Sequence, residues 1–177
     1  MLLTKNSKVN FQYLSEIPGA FLPFKNDSYR IGSYGCLLSH YKIIEKAYRE
    51  KHSRILILED DTGFKNDLKI LENAHQQLVD KNLSFGILYL SGNHKKKTDR
   101  ISENIVKVNK TYTTNSYIID NSVYEFILKG LIKWTAEIDV FYSNVLQQEF
   151  NCYCTSPHIT YQKSGKSDIL NYTKEFI

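Results

Sequence analysis

The chain has 177 residues, 42% of them hydrophobic and 13% aromatic, with a formal net charge of +4. This length suits a single domain over residues 1–177 with its own core, and the apolar and aromatic content excludes a disordered chain. The positive residues are scattered among acids, without a concentrated basic stripe and interleaved aromatics, so no nucleic-acid partner is expected.

Residues 9–14, "VNFQYL", read as a short strand, followed by a loop through Pro18, Gly19 and Pro23. No long apolar core opens the chain and no run is long enough to span a membrane, so a soluble protein without a transmembrane segment is expected. From Gly35 the pattern turns helical: Leu37, Tyr41, Ile44 and Tyr48 make an apolar stripe, with Lys42, Glu45, Lys46 and Arg49 off it. Residues 55–58, "ILIL", lack polar alternation, as a central strand covered on both faces does. Asn66 or Asp67 caps a second predicted helix to about Leu78, with Leu68, Leu71, His75 and Leu78 on one side.

"FGILYL" (85–90) reads as another covered strand, ending in the turn-like Ser91-Gly92-Asn93 and the basic run His94 to Lys97, a solvated loop. Shorter strands follow at 104–108 and 116–120, and Ser122-x-x-Glu125 reads as a capping box opening a helix that ends near Gly130. A further helix covers Asp139 to Gln148, before a strand at "FNCYCT" and an irregular tail. The three cysteines, Cys36, Cys152 and Cys154, have no disulfide-framework spacing, which points to a reduced, cytoplasmic compartment. Cys152-x-Cys154 alternates within a strand and has no second pair, so it reads as structural rather than as a zinc site. Strands alternating with helices predict an α/β fold with a mainly parallel sheet, whose ligands bind at the carboxyl ends of the strands.

That is where "RILILEDDTGF" (54–64) places Glu59, Asp60 and Asp61. Adjacent like charges repel unless solvent, a cation or a proton relieves them. Side chains two apart in a strand point the same way, so Glu59 and Asp61 converge on one cation while Asp60 faces elsewhere, unless the strand has already turned. Oxygen ligands of this kind suit Mg²⁺ or Mn²⁺, with positions left open for phosphate. By themselves, the three acids read first as a solvated strand end, since surface acid clusters are common.

The stretch "IGSYGCLLSHYKIIEKAYREKHSRILILEDD" (31–61) resembles glycosyltransferase family 25, whose members show Gly-Glu-x-Gly-Cys, then Ser-His, a helix, and an aliphatic strand closed by Glu-Asp-Asp. Here these are Gly32, Gly35, Cys36, Ser39, His40 and Glu59-Asp60-Asp61, with Ser33 where the family has Glu. Weaker matches are "YLSGN" (89–93), "TTNSYII" (113–119), "EIDVF" (137–141) and "SDI" (167–169), so the resemblance covers about residues 30–170. Family members begin with a strand some tens of residues before the glycine block; residues 1–30 are therefore expected to be an atypical segment of a domain shortened at its N-terminus.

The resemblance implies a GT-A-like, Rossmann-like fold and inverting transfer of a hexose, galactose or glucose, from a UDP-sugar to a glycan or glycosylated protein, as in lipopolysaccharide biosynthesis. It implies Mn²⁺ or Mg²⁺ held by Asp61, Glu59 and Asp60 as a variant DXD motif, with His158 as a further ligand. Asp139 becomes the candidate general base, with Glu137 as rival; a helix cap is the alternative for either. Gly35, Ser39, His40, Asn93, Tyr117 and Asp168 become donor or substrate contacts. His40 reads equally as a hydrogen-bonded core residue, and Asn93 as a left-handed turn position. A catalytically inactive relative that binds sugar or a protein partner is the competing expectation.

Overall fold

The computed structural model describes residues 2–3, 28–132, 134, 136–166 and 173–174. After the short strand β1 (Leu2–Leu3), helix α1 runs from Ser28 to Arg49, beginning well before Gly35. The expected strand at 9–14 lies outside the described residues. Gly32 and Gly35 both lie within α1. Of the stripe, Leu37 and Ile44 are buried with Leu38, Ile43 and Ala47, Tyr41 lies at the edge of the core, and Tyr48 is exposed.

Strands β2 (Arg54–Glu59) and β3 (Thr62–Phe64) precede helix α2 (Lys69–Asp80). Then come β4 (Ile87–Tyr89), β5 (Asn93–His94), β6 (Asp99–Ser102), β7 (Ile105–Lys107), β8 (Thr111–Tyr112) and β9 (Ser116–Asp120). A 3₁₀ turn (Asn121–Val123) leads into α3 (Tyr124–Leu131). Helices α4 (Ile138–Phe141) and α5 (Gln147–Glu149) flank a π-helical turn at Tyr142–Leu146. The described chain closes with β10 (Cys152–Thr155), β11 (Thr160–Gln162), β12 (Gly165–Lys166) and β13 (Thr173–Lys174). One cap differs from expectation: Asp120, not Ser122, accepts the Ser122 N–H that opens the 3₁₀ turn; at the start of α2, Asp67 Oδ1 accepts the Lys69 N–H, as expected of Asn66 or Asp67.

The main sheet has seven strands in the order β1-β2-β9-β4-β10-β7-β6. Pairs β1–β2 and β4–β10 are parallel; β2–β9, β9–β4, β10–β7 and β7–β6 are antiparallel. The α/β class stands, but the sheet is mixed rather than mainly parallel. The cause is local. A parallel neighbour needs a crossover, usually a helix, and β2–α2–β4 supplies one. Residues 93–112 instead fold back on themselves, β5 pairing with β8 just beyond β4. The chain thus re-enters the sheet from the carboxyl end, and β9 fills the gap between β2 and β4 running the other way, with Tyr117 opposite both Ile57 and Tyr89.

Alternation along these strands feeds two apolar layers. Ile57, Ile87, Tyr89, Tyr117, Ile119, Cys152 and Cys154 pack under α1 and α3, while Leu88, Ile105 and Tyr153 pack with Ala74 and Leu78 of α2. Strand β4 is buried on both faces, as its sequence predicts. In β2 only Ile57 is fully buried, because that strand stands next to the two-residue β1 at the sheet's margin. The opposite margin is β6, which bears exposed Asp99 and Arg100 and an irregular register between Arg100 and Ser102. No helix among the described residues is long and apolar enough to cross a membrane.

The predicted face of α2 is narrower than the sequence stripe: Leu78 is 1% exposed, whereas Leu68, just before the helix, is 53% exposed. Leu78→Ala is expected to cost about 2–5 kcal/mol by opening a cavity, and Leu68→Ala no more than about 0.5 kcal/mol. Urea unfolding midpoints of the two variants check the pair.

Candidate functional site

The site grows from the carboxyl end of β2. Beyond the last β2–β9 pair, the Glu59 N–H donates to the Asn115 carbonyl at 2.8 Å, and Thr62 Oγ1 donates to the same carbonyl at 2.7 Å. The segment leading into β9 thus clamps the chain on both sides of Asp60 and Asp61. These two residues form the turn between β2 and β3, so the strand has turned before the acids could alternate. Glu59 points inward. Its Oε1 accepts from Thr114 Oγ1 at 3.1 Å and lies 3.2 Å from His40 Nε2. Asp60 is exposed, and the half-buried Asp61 is oriented by Gln162, whose Nε2 donates to Oδ2 at 2.9 Å. Strand β11, paired with β3, brings Gln162 there.

Behind Glu59 lies a buried polar chain. His40 Nδ1 is 2.8 Å from the Tyr117 hydroxyl, which is 3.2 Å from the Tyr142 hydroxyl. With Tyr142 donating to Tyr117, Tyr117 to His40 Nδ1 and His40 Nε2–H to Glu59, every link has a donor and an acceptor. Burial holds both phenols far above their ordinary range, so they stay protonated. His40 is 1% exposed and Tyr117 0%. Both are hydrogen-bonded core residues, reaching the strand end only through Glu59.

Asp139 sits in the first turn of α4 but does not cap it: its Oδ2 accepts the Thr113 N–H at 3.3 Å. Burial raises its pKa, and the charges of Glu137 and Glu59 push the same way. Because Thr113 is followed by Thr114, which holds Glu59, the Thr113 bond brings Asp139 to the same strand end. Thr113 makes the contact with φ 91°, a costly conformation for a β-branched residue. Glu137 is the N-cap residue of α4, without a side-chain cap bond.

The other expected residues are dispersed. Ser39 Oγ donates to the Gly35 carbonyl within α1 at 2.8 Å. Asn93 is exposed in β5, paired with Tyr112, and is extended rather than left-handed. His158 turns toward His94, not toward the acids, and Asp168 lies outside the described residues. Sequence reasoning missed Thr113, Thr114, Asn115, Tyr142 and Gln162. The one available signal was the small polar run "TTNS" that leads into β9 within the family-like segment "TTNSYII".

Asp60 and Asp61 offer only oxygen donors, one exposed and one half-buried, a set that fits a hard divalent cation with open positions. Asp139, a carboxyl biased toward holding a proton, suits proton transfer.

Comparison with known proteins follows this geometry. The model of the family described as Glycosyltransferase family 25 (LPS biosynthesis protein) matches residues 31–142. A Drosophila melanogaster glycosyltransferase 25 family member is 30% identical over 125 residues, covering 68% of this chain and 19% of that protein. Human procollagen galactosyltransferase 2 is 26% identical over 109 residues, covering 58% and 17%. A Rattus norvegicus protein named probable inactive glycosyltransferase 25 family member 3 is 32% identical over 75 residues, covering 42% and 13%. The chain thus spans less than a fifth of the length of each of these relatives.

Because the folded Asp139 carboxyl holds its proton above the ordinary value of 3.8, the folded chain binds more protons than the unfolded chain in the window between 3.8 and the raised value. Its contribution to stability is therefore present below 3.8 and lost as pH rises through that window. Asp139→Asn lacks this loss. Its stability relative to the parent is expected to climb across the window and then level off, as read from urea midpoints at a series of pH values; a flat difference contradicts the buried carboxyl.

Proposed function

Because this chain belongs to glycosyltransferase family 25, we propose that it is a metal-dependent, inverting hexosyltransferase. On this reading a GT-A-like fold carries galactose or glucose from a UDP-sugar to a hydroxyl of a glycan or glycosylated protein. The observation that carries the proposal is the juxtaposition, at the carboxyl end of β2, of the Asp60–Asp61 turn with the buried Asp139: Thr113 donates its N–H to Asp139, and the next residue, Thr114, holds Glu59 at the start of that turn.

Asp61, oriented by Gln162, and Asp60 would hold Mn²⁺ or Mg²⁺. When bound, that ion supplies positive charge to the departing diphosphate. Glu59 contributes by anchoring the turn: its bonds to Thr114 and His40 fix where Asp60 and Asp61 begin. His40 and Tyr117 act as positioning residues behind it. Asp139 takes the proton of the acceptor hydroxyl as that oxygen bonds to the anomeric carbon and the sugar–phosphate bond breaks, with the electron pair leaving on the diphosphate. The raised proton affinity of Asp139 moves it toward working pH, where a base both accepts and releases a proton readily. Gly35, Ser39 and Asp168 remain assigned to the donor, and exposed Asn93 to the sugar or acceptor.

One observation favours a second reading, an inactive relative that keeps a binding role. Ser33, standing where the family has Glu, is buried, and its hydroxyl has no hydrogen-bond partner among the described residues. A carboxylate is thus missing from α1, and relatives named inactive are among the matches.

A thermal-shift and turnover pair separates the two. UDP is expected to raise the melting temperature only with Mn²⁺ or Mg²⁺ present, since a ligand at about 100 times its Kd stabilises by about 2.7 kcal/mol. Asp61→Ala abolishes that shift. Asp139→Asn keeps the shift but lowers release of UDP from UDP-galactose or UDP-glucose by about 10²–10⁴-fold. Metal-dependent UDP binding without turnover supports the inactive reading, and no UDP binding under any metal condition overturns the enzyme.

A further inference from the structure

Strands β4 and β10 are parallel neighbours, and both carry the chain out of the same end of the sheet. Each is followed within a few residues by a histidine, His94 after β4 and His158 after β10. The two exits are tied together: the Ile159 N–H and Thr155 Oγ1 both donate to the Leu90 carbonyl, at 2.9 and 3.0 Å. The imidazoles consequently meet edge to face with centroids 5.3 Å apart and their Nε2 atoms 3.3 Å apart. Cys154, the last cysteine of β10 and 0% exposed, completes the group, with all three ligand atoms within 4.8 Å of one another. Asp60 and Asp61 do not belong to this cluster.

The spacing matches a known chemistry. Two nitrogens each about 2.0–2.1 Å from a tetrahedral zinc ion stand about 3.3 Å apart. His94 is also held as a ligand histidine is: its Nδ1 is 2.7 Å from Thr111 Oγ1, which leaves Nε2 to face His158 and Cys154. The room for this arrangement depends on Gly92. A Cβ there would lie 2.5 Å from Thr111 Cγ2 and 3.2 Å from His94 Cε1, so any larger residue would push the ring and its hydroxyl partner apart. The second such cluster, Cys36–His40–Glu59, is a weaker candidate because His40 and Glu59 already satisfy each other and Tyr117.

We propose that His94, Cys154 and His158 form a binding site for a borderline divalent cation of the zinc class, with a fourth position open to solvent and separate from the carboxylate turn. One thiolate and two imidazoles prefer Zn²⁺ or Co²⁺ to Mn²⁺ or Mg²⁺. Binding forms two metal–nitrogen bonds and one metal–sulfur bond and releases the Cys154 thiol proton to solvent. The ion would pin the β4 and β10 exits to each other. The cysteine thereby gains a role that its lack of a Cys partner in sequence conceals.

Titration of the tag-free full chain with Co²⁺ tests this without any donor sugar or turnover. The expected result is one equivalent that gives tetrahedral visible bands and a thiolate-to-cobalt absorption in the near ultraviolet, whatever binds at the carboxylate turn. Zn²⁺ bleaches these bands, and Mg²⁺ or Mn²⁺ does not. Cys154→Ser removes the thiolate band while Cys36→Ser keeps it. His158→Gln, a half-buried loop substitution that spares the sheet, weakens binding at least 100-fold, by about the upper limit for loss of a supporting partner. Thr111→Val weakens it by about 10–100-fold. Asp61→Asn leaves it unchanged. Absence of saturable Co²⁺ binding, a thiolate band that survives Cys154→Ser, or binding lost in Asp61→Asn overturns the proposal.

Discussion

The antiparallel insertion of β9 between β2 and β4 is the constraint on which the site rests. It opposes Tyr117 to Ile57 and Tyr89 at once and leaves Thr113 to Asn115 overhanging the end of β2. From that overhang come the Thr114 bond to Glu59, the Thr113 bond to Asp139 and the Asn115 carbonyl that grips both ends of the acid turn. Had β9 been a parallel strand, its amino end would lie at the far side of the sheet and none of these bonds could form.

The same insertion answers why an aliphatic strand ends in three adjacent acids. The three carboxylates are sorted into different surroundings rather than left side by side. Glu59 is drawn inward by a histidine and a hydroxyl, Asp61 is held by an amide, and Asp60 faces water. Distributing them this way lessens mutual repulsion, since each has its own hydrogen-bonding or solvent partner. Burial of Asp139 nearby works in the opposite sense, favouring the protonated carboxyl. The carboxyl end of β2 thus gathers three carboxylates held in polar or solvated surroundings beside one carboxyl whose burial favours its proton.

How much of this was legible in the sequence depended on how far each residue's partners lie along the chain. Helices α1 and α2 and strands β4, β7 and β9 follow from local periodicity and were readable. "ILIL" and "FGILYL" look alike as apolar runs, yet one lies near the sheet margin and the other in its middle; a strand's own sequence does not encode its neighbours. The mixed sheet was missed for the same reason, because the direction of β9 depends on the folding back of residues 93–112. In the site, His40 was noticed as a residue type, but its partners Glu59 and Tyr117 are 19 and 77 positions away. Thr113 and Thr114 carry no distinctive chemistry of their own and matter only through position. Gln162 reaches Asp61 across 101 positions and was invisible.

The sheet's outer margin at β6 has a consequence for the protein's life in a crowded solution. An open strand edge presents unpaired amides and carbonyls to any other chain, and a flat edge invites stacking into aggregates. Here the last strand is short, carries exposed Asp99 and Arg100, and breaks register beside Arg100. A second sheet docking there would meet charge and a kink instead of a straight ladder. Charge and broken register at β6 thus work against edge-to-edge pairing at this margin.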